Sequence, residues 1–503
     1  MNDRLRTFAT RRTFVLVGAA AWLLAFAWTG FLPLDNDALY ADVGRTMLRT
    51  GDWLNPRIHG VPFLDKPPLF YWMMAAVQSV FSDWIFTLRL PAILCAWATA
   101  VLAYDAARSR NPETVAGALA VLFLLGNTIW FEYARRAYME VPVALFVFAT
   151  TLALLRAWRS SRDGTGYIAW YAAAGLFTGV AFMLKSLVGL FAVIGFAAWL
   201  LIETRGRALA NLRVWIGALV FLAVLMLVAA PWHLYQFETQ RDVFMEFTWN
   251  LHIHDQIFNA QPWSTGPWYF YLDVWLRQLP IVGLVTLGGW LAFAFRGAKG
   301  LPTSSLDRLL AISGMAIFVI LSASETKKDL YLIPLAPYAA VLLARVVAVT
   351  GSSAIRNVAI AVGVVALLMD TPAMVPGGSV LAGAEPVVAA SRAARDASNE
   401  NDTVYVVDLY FVAAQFYSER RAVSVWTRPG PAEMTGHIPY IRYGKNMIDV
   451  PLADLPDRMQ LEQGVWIVPN PIADALIGRG AVELEKLHQD SMLSVVRVGA
   501  TGD

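Results

Sequence analysis

Residues 13–42 read TFVLVGAAAWLLAFAWTGFLPLDNDALYAD. The stretch is free of charge from Thr13 to Leu34, then places Asp35, Asp37 and Asp42 within a few positions of one another. About 20 apolar residues in a helix cross the roughly 30 Å of bilayer hydrocarbon, so this run is long enough to be a membrane span. No small-residue cleavage site follows it, and it is expected to stay in the chain rather than act as a cleaved leader. Arg4, Arg6, Arg11 and Arg12 precede it. One end of the span is basic and the other acidic.

The whole chain has the same character. Of 503 residues, 57% are apolar and 16% charged, and the mean hydropathy is +0.50. Soluble domains carry about 25% charged residues, so a single soluble domain, a disordered chain and a fibrous repeat are excluded. The net charge of +2 is too balanced for a nucleic-acid partner. The one cysteine, Cys95, lies in an apolar run, which excludes a disulfide framework and a thiol-rich metal site. Nineteen Trp suit a long membrane–water boundary.

Eleven apolar stretches of span length occur near 13–32, 88–107, 114–131, 138–157, 167–183, 186–203, 214–231, 275–295, 307–323, 330–348 and 354–371. A shorter one, 67–82, reads as a partial span or an interfacial helix. Basic residues mark the cytoplasmic side. With the N-terminus inside, the inner loops hold Arg108 and Arg110; Arg156, Arg159 and Arg162; Arg205, Arg207 and Arg213; Arg296, Lys299 and Arg308; and Arg345 and Arg356. The outer loops, 33–87, 132–139, 184–186, 232–274 and 324–329, carry acids, histidines and tryptophans instead. The C-terminal segment 372–503 then falls outside. Its β-like runs Val404–Val407, Val465–Val468 and Leu493–Val496 alternate with helix-compatible stretches such as 385–397, which predicts a small extracytoplasmic α/β domain. The division is 1–371, a transmembrane domain with outer loops 33–87 and 232–274, and 372–503.

The outer charges are few, so each is a candidate. Asp35 and Asp37 suit a general base at a helix mouth, and equally a cap for the helix through Tyr40–Leu48. Leu39, Val43 and Met47 form one stripe of that helix, which suggests that it lies along the membrane surface. Lys66, beside Asp65 and before Pro67, reaches headgroup depth, where it either pairs with a phosphate or snorkels as an anchor. Glu132, Arg135, Arg136 and Glu140 crowd one short loop and can pair among themselves. Lys185 stands alone at an outer turn, and Lys327 and Lys328 precede Tyr331. Together the cations can converge on an anionic headgroup. His252 and His254 are spaced for an extended segment, and a zinc site there would need a third ligand. No metal is assigned.

In order, Tyr40-Ala41, Met47-Leu48, Gly51-Asp52-Trp53, Asp65-Lys66-Pro67, Tyr71-Trp72 and Arg89-Leu90-Pro91 resemble the polyprenyl-phosphate-dependent glycosyltransferases of the GT-C fold. That group contains the aminoarabinose lipid A transferases and the protein O-mannosyltransferases. Arg136 with Glu140, Lys185, Pro267–Leu272, and Lys327 through Tyr331 to Pro337 extend the likeness over about residues 30–345. The resemblance implies a mainly α protein with about 11–13 membrane helices and an inverting sugar transfer at the outer face of the cytoplasmic membrane. The donor would be a polyprenyl-phosphate sugar and the acceptor a lipid A-like glycolipid, another glycan or lipid, or a protein. Asp37, with Asp35 close by, would be the base, joined by Glu140. Lys66, Lys185, Arg136, Lys327 and Tyr331 would hold the donor phosphate, with Tyr40, Asp65, Arg135, His252 and His254 near the substrates. No cofactor is required, and a divalent metal is left open.

Two positions depart from the group's pattern. Asp35-Asn36-Asp37 replaces the usual Asp-Glu, and Glu140 stands where Asp is usual. Leu39 also replaces the arginine of the aminoarabinose transferases, which leaves the sugar and acceptor open. A transporter of lipid-linked sugars is the alternative, and it would be expected to carry midplane charges and internal repeats. Neither is visible. A membrane scaffold would leave the Asp37, Lys66 and Lys185 set without a purpose.

Overall fold

The computed structural model describes residues 2–25, 27, 36–58, 60–82, 85–108, 115–248, 250, 265–278, 304–369, 385–428, 445, 447–462, 464–480 and 482–498. Asp35, His252, His254 and most of the predicted span 275–295 lie outside them. The chain forms two compact units. The larger comprises Met1–Trp28, Asp65–Phe70 and Arg89–Pro372; the smaller comprises Thr29–Leu64, Tyr71–Leu88 and Ala373–Asp503.

The larger unit is a helical bundle. Six described segments are long and apolar enough to cross a membrane: Leu90–Ala107, Glu140–Asp163, Tyr167–Thr204, Leu212–Thr239, Ser305–Ala323 and Asp329–Val349. The Asn2–Ala25 helix and the shorter Ala116–Leu125 and Ser353–Met369 fall on three further predicted spans. The expected span 114–131 is interrupted. Gly126 ends the first helix, and Asn127 caps a second one, Thr128–Tyr133, its side chain accepting the Trp130 N–H at 2.9 Å. Tyr167–Thr204 also has a break: a helix ends at Lys185, and a 3-10 turn, Ser186–Leu190, leads to Phe191–Thr204. A Cβ on Gly189 would stand 2.7 Å from the Phe182 nitrogen, so only glycine lets the chain fold back this tightly.

Small residues set the helix spacing. Gly175 and Gly179, four apart, let Tyr167–Lys185 meet Leu212–Thr239 closely; Cβ atoms there would lie 2.4 Å from the Phe221 carbonyl oxygen and 2.8 Å from Val228 Cβ. The loops that the basic residues assign to one face also meet at one end of the bundle. Arg12 pairs with Asp105 at 2.8 Å, Arg213 Nη1 donates to the Ser161 carbonyl at 3.2 Å, and Arg308 Nε donates to Glu203 at 2.7 Å. Arg345 reaches Asp307, Ser304 Oγ at 3.0 Å and the Ala106 carbonyl at 3.2 Å. Glu140 and Lys185 occupy the opposite ends of two of these helices.

In the smaller unit a hairpin, β1 (Arg57–Ile58) and β2 (Val61–Pro62), follows the Asn36–Thr50 helix. The C-terminal residues form a six-stranded sheet of β3 (Thr403–Val407), β4 (Arg421–Trp426), β5 (Met447–Asp449), β6 (Val465–Pro469), β7 (Leu484–Gln489) and β8 (Leu493–Val498). Its order is β5-β4-β3-β6-β8-β7. The first four strands run parallel, and β8 and β7 join antiparallel. β3 is buried along Val404–Val407, as a parallel strand covered on both faces must be. Tyr405 stacks on Trp466 at 4.4 Å in the core.

The Asn36–Thr50 helix is enclosed rather than one-sided. Every residue from Asp37 to Arg45 is buried, so the Leu39–Val43–Met47 stripe is only part of its contact surface. Asp37 lies in the first turn, where the helix dipole favours an anion.

Candidate active site

In the larger unit, charges from separate chain segments gather at the end of the bundle away from the arginine pairs. Glu140 opens the Glu140–Asp163 helix and Lys185 closes Tyr167–Lys185, placing the acid at an N-terminus and the base at a C-terminus, each the favoured end. Lys185 Nζ donates to Glu140 Oε1 and stands 4.6 Å above the ring of Tyr331. Glu140 Oε2 is buried and has no partner among the described residues. Such an oxygen costs free energy, about 1–3 kcal/mol or more for a charged group.

Lys66 is held by its own neighbourhood. Pro67 and Pro68 are buried, and Lys66 Nζ donates to the Asp65 carboxylate and carbonyl, both at 3.1 Å. Burial pushes the Lys66 ammonium below its ordinary value and Lys185 pushes it further, while Asp65 and Glu140 oppose them. Lys328 is lowered in the same way, by burial and then by Lys185, against Asp65, Glu140 and Asp329. Lys185 is therefore an electrostatic neighbour of both Lys66 and Lys328, which come from two other parts of the chain. An anion placed among them removes the mutual repulsion.

The adjacent Lys327 faces another way. Its Nζ donates to the carbonyls of Leu321, Ser322 (2.7 Å) and Ser324, closing the end of the Ser305–Ala323 helix. Arg136 pairs with Glu132 at 3.0 Å and lies over the rings of Tyr133 and Tyr138. Arg135 donates to the Phe131 carbonyl at 3.0 Å and stacks on that ring at 3.4 Å. Asp37 and Tyr40 belong to the smaller unit, where Tyr40 packs against Tyr71. Among the described residues, no three His, Cys, Asp or Glu side chains group as metal ligands. Of the two lysines in Lys327-Lys328, the sequence offers no signal for which one turns toward Lys185; the helix ending at Ala323 decides it.

Behind Lys185 and Glu140 lies a cavity of about 470 Å³. Its walls are apolar, with Leu187, Phe191, Ile194, Ile320, Leu321 and Pro334 beside Tyr331. One end offers the Lys185 ammonium and the Glu140 carboxylate, and most of the rest is hydrocarbon. That arrangement suits an amphiphile with an anionic head.

Fold and site together define a helical membrane protein of the GT-C fold with a C-terminal sheet. The overall architecture matches the crystal structure of ArnT from Cupriavidus metallidurans bound to undecaprenyl phosphate, with a TM-score of 0.74 over 99% of this chain and 98% of that one, at 16% identity. Residues 65–232 match the family of dolichyl-phosphate-mannose-protein mannosyltransferases. The chain is similar to the undecaprenyl phosphate-alpha-4-amino-4-deoxy-L-arabinose arabinosyl transferase 1 of Sodalis glossinidius, 30% identical over 343 residues, which is 65% of this chain and 59% of that protein. The Pseudomonas aeruginosa transferase of the same kind is 29% identical over 62% of this chain and 56% of its own length. The chain thus spans less than two thirds of these relatives.

Proposed function

We propose that this protein is an inverting glycosyltransferase that moves a sugar from a polyprenyl-phosphate donor to an acceptor at the outer face of the cytoplasmic membrane. The observation that carries the reading is Lys185, paired with Glu140 at the head of an apolar cavity, with Lys66 and Lys328 both within its electrostatic reach. The ammonium groups receive the phosphate, and the cavity takes the first isoprene units. Asp37 removes the proton from the acceptor, which is a glycolipid, another glycan or a protein. The acceptor oxygen attacks the anomeric carbon, and the carbon–phosphate oxygen bond breaks. The negative charge that develops on the departing phosphate is met by the three lysines. Glu140 fixes Lys185 against Tyr331.

The arginine pairs at the far end of the bundle support an N-terminus inside and, with it, an outward-facing Lys185 end of the bundle. A flippase would need charges along a path through the bundle, whereas these collect at the two ends. Purified protein supplied with a panel of polyprenyl-phosphate sugars tests the proposal. Release of polyprenyl phosphate that depends on the acceptor and disappears in Asp37→Asn is expected. Full turnover in Asp37→Asn overturns the assignment of the base, and no release with any donor overturns the reaction.

A further inference from the structure

We propose that Asp42, Arg45 and Gln415 are positioning residues through which the C-terminal sheet unit sets the reactive geometry of Asp37. The inference rests on Asp37 being the base of the sugar transfer. Asp42 lies on the same helix, less than two turns beyond Asp37. Both of its carboxylate oxygens are engaged: Oδ1 accepts from Arg45 at 2.5 Å and Oδ2 from Gln415 Nε2 at 2.9 Å. Arg45 also donates to the Phe416 carbonyl at 2.9 Å, with its guanidinium 4.6 Å over the Phe416 ring. Asp42, Arg45 and Gln415 are 3%, 6% and 1% exposed. Gln415 and Phe416 belong to the Phe411–Ser418 helix, which follows β3 of the sheet.

A buried ion pair contributes little net stability, because desolvation offsets its attraction. Directional donors from two elements do fix the height and the rotation of a helix, which apolar contacts alone do not. The other side of the Asn36–Thr50 helix is equally restrained. A Cβ on Gly44 would stand 2.9 Å from Met74 Cβ and from Gln78 Oε1, and Gln78 Nε2 donates to the Ala41 carbonyl at 3.1 Å. Held from both sides, the helix transmits any shift at Asp42 to Asp37 as a rigid body. A displacement of about 1 Å at a reacting group costs on the order of 10²-fold in rate. On this view the C-terminal unit is a working part of the reaction.

The experiment uses the full chain in lipid nanodiscs, with a polyprenyl-phosphate sugar that the wild type turns over. Melting temperature and undecaprenyl phosphate binding are measured alongside. Gln415→Glu sets two carboxylates face to face. It is expected to lower kcat at least tenfold, with the donor KM within twofold and undecaprenyl phosphate binding unchanged. The double variant Asp42→Asn/Gln415→Glu reverses the bond, amide now donating to carboxylate, and is expected to recover kcat to within threefold. If Gln415→Glu does not fold, Gln415→Met carries the test, with at least a threefold loss in kcat at unchanged KM. Wild-type kcat in the Gln415 variant, or a loss that follows the melted fraction and is not recovered by the double variant, overturns the proposal. If Asp37→Asn abolishes transfer while Gln415→Glu does not, this inference fails and the base assignment stands. If Asp37→Asn keeps full turnover, both fail.

Discussion

At the end of the helical unit that holds Arg345, several arginines are tied to carboxylates and carbonyls of neighbouring helices. Arg345 reaches Asp307, Ser304 and the Ala106 carbonyl, and Arg308 grips Glu203 through two nitrogens. Ser304 and Asp307 complete a capping box around the start of their helix. At the end that holds Lys185 the accounting differs. Glu140 keeps a buried oxygen without a partner among the described residues, and Lys66 and Lys328 are both depressed by burial and by Lys185. One end spends its charges on holding helices together. The other keeps like charges close in a setting that an incoming anion relieves. Electrostatic frustration, more than charge itself, distinguishes the candidate site from the scaffold.

Changes at the two ends should therefore separate activity from stability. The largest effect is expected from Asp37→Asn, with kcat down roughly 10²–10⁴-fold, as for loss of a general base, and an unchanged melting temperature. Next, Asp307→Ala leaves Arg345 without its carboxylate and should cost about 3 kcal/mol of stability. The kcat of the folded fraction should stay at the wild-type value, measured by denaturation and by assay on the same preparation. Lys66→Ala should raise the donor KM with little change in melting, by an amount equivalent to about 1.5–3 kcal/mol for a lost charge-assisted bond.

A pH effect sharpens the contrast. Lys66 titrates below the ordinary 10.5 in the free protein, and a bound phosphate raises it again. Donor affinity is then full below the depressed value and falls as pH rises through it, by up to about tenfold per unit of difference. Lys66→Arg stays protonated, and its donor KM should be flat over the same alkaline range.

The smallest effect lies in the C-terminal unit. Burial alone would raise the Glu419 carboxyl, but Arg49, Arg45 and Arg395 outweigh it and hold it below 4.5. Its stabilisation is present above that value and is lost as pH falls through the depressed one. Glu419→Gln should therefore lower stability by about 1 kcal/mol at pH 7, and the difference should vanish in acid.

Much of this was legible from the chain. Spans are local, so a run such as Leu90–Ala107 announces itself, and Thr403–Val407, made of β-branched and aromatic residues, reads as a strand. The polar edge strand Leu484–Gln489 does not, because its charges suit an exposed edge and resemble a helix or loop. The sheet order, a matter of long-range pairing, was not legible either. The enclosure of the Asn36–Thr50 helix depends on Gln415 and Phe416, more than 370 positions away, and no local pattern in Asp42 or Arg45 predicts it. Lys66 and Lys185 stood out because charge is rare in their surroundings. That Lys327, and not Lys328, would be taken up by helix carbonyls is a packing outcome.

Binding of undecaprenyl phosphate, followed by intrinsic tryptophan fluorescence in nanodiscs, tests the central claim most directly. Wild type should bind, and the folded forms of Lys66→Ala and Lys185→Met should each bind at least tenfold more weakly, with the melting temperature kept in Lys66→Ala and lowered in Lys185→Met, which leaves the buried Glu140 unpaired. Equal affinity in all three proteins would contradict a phosphate site at the head of the cavity.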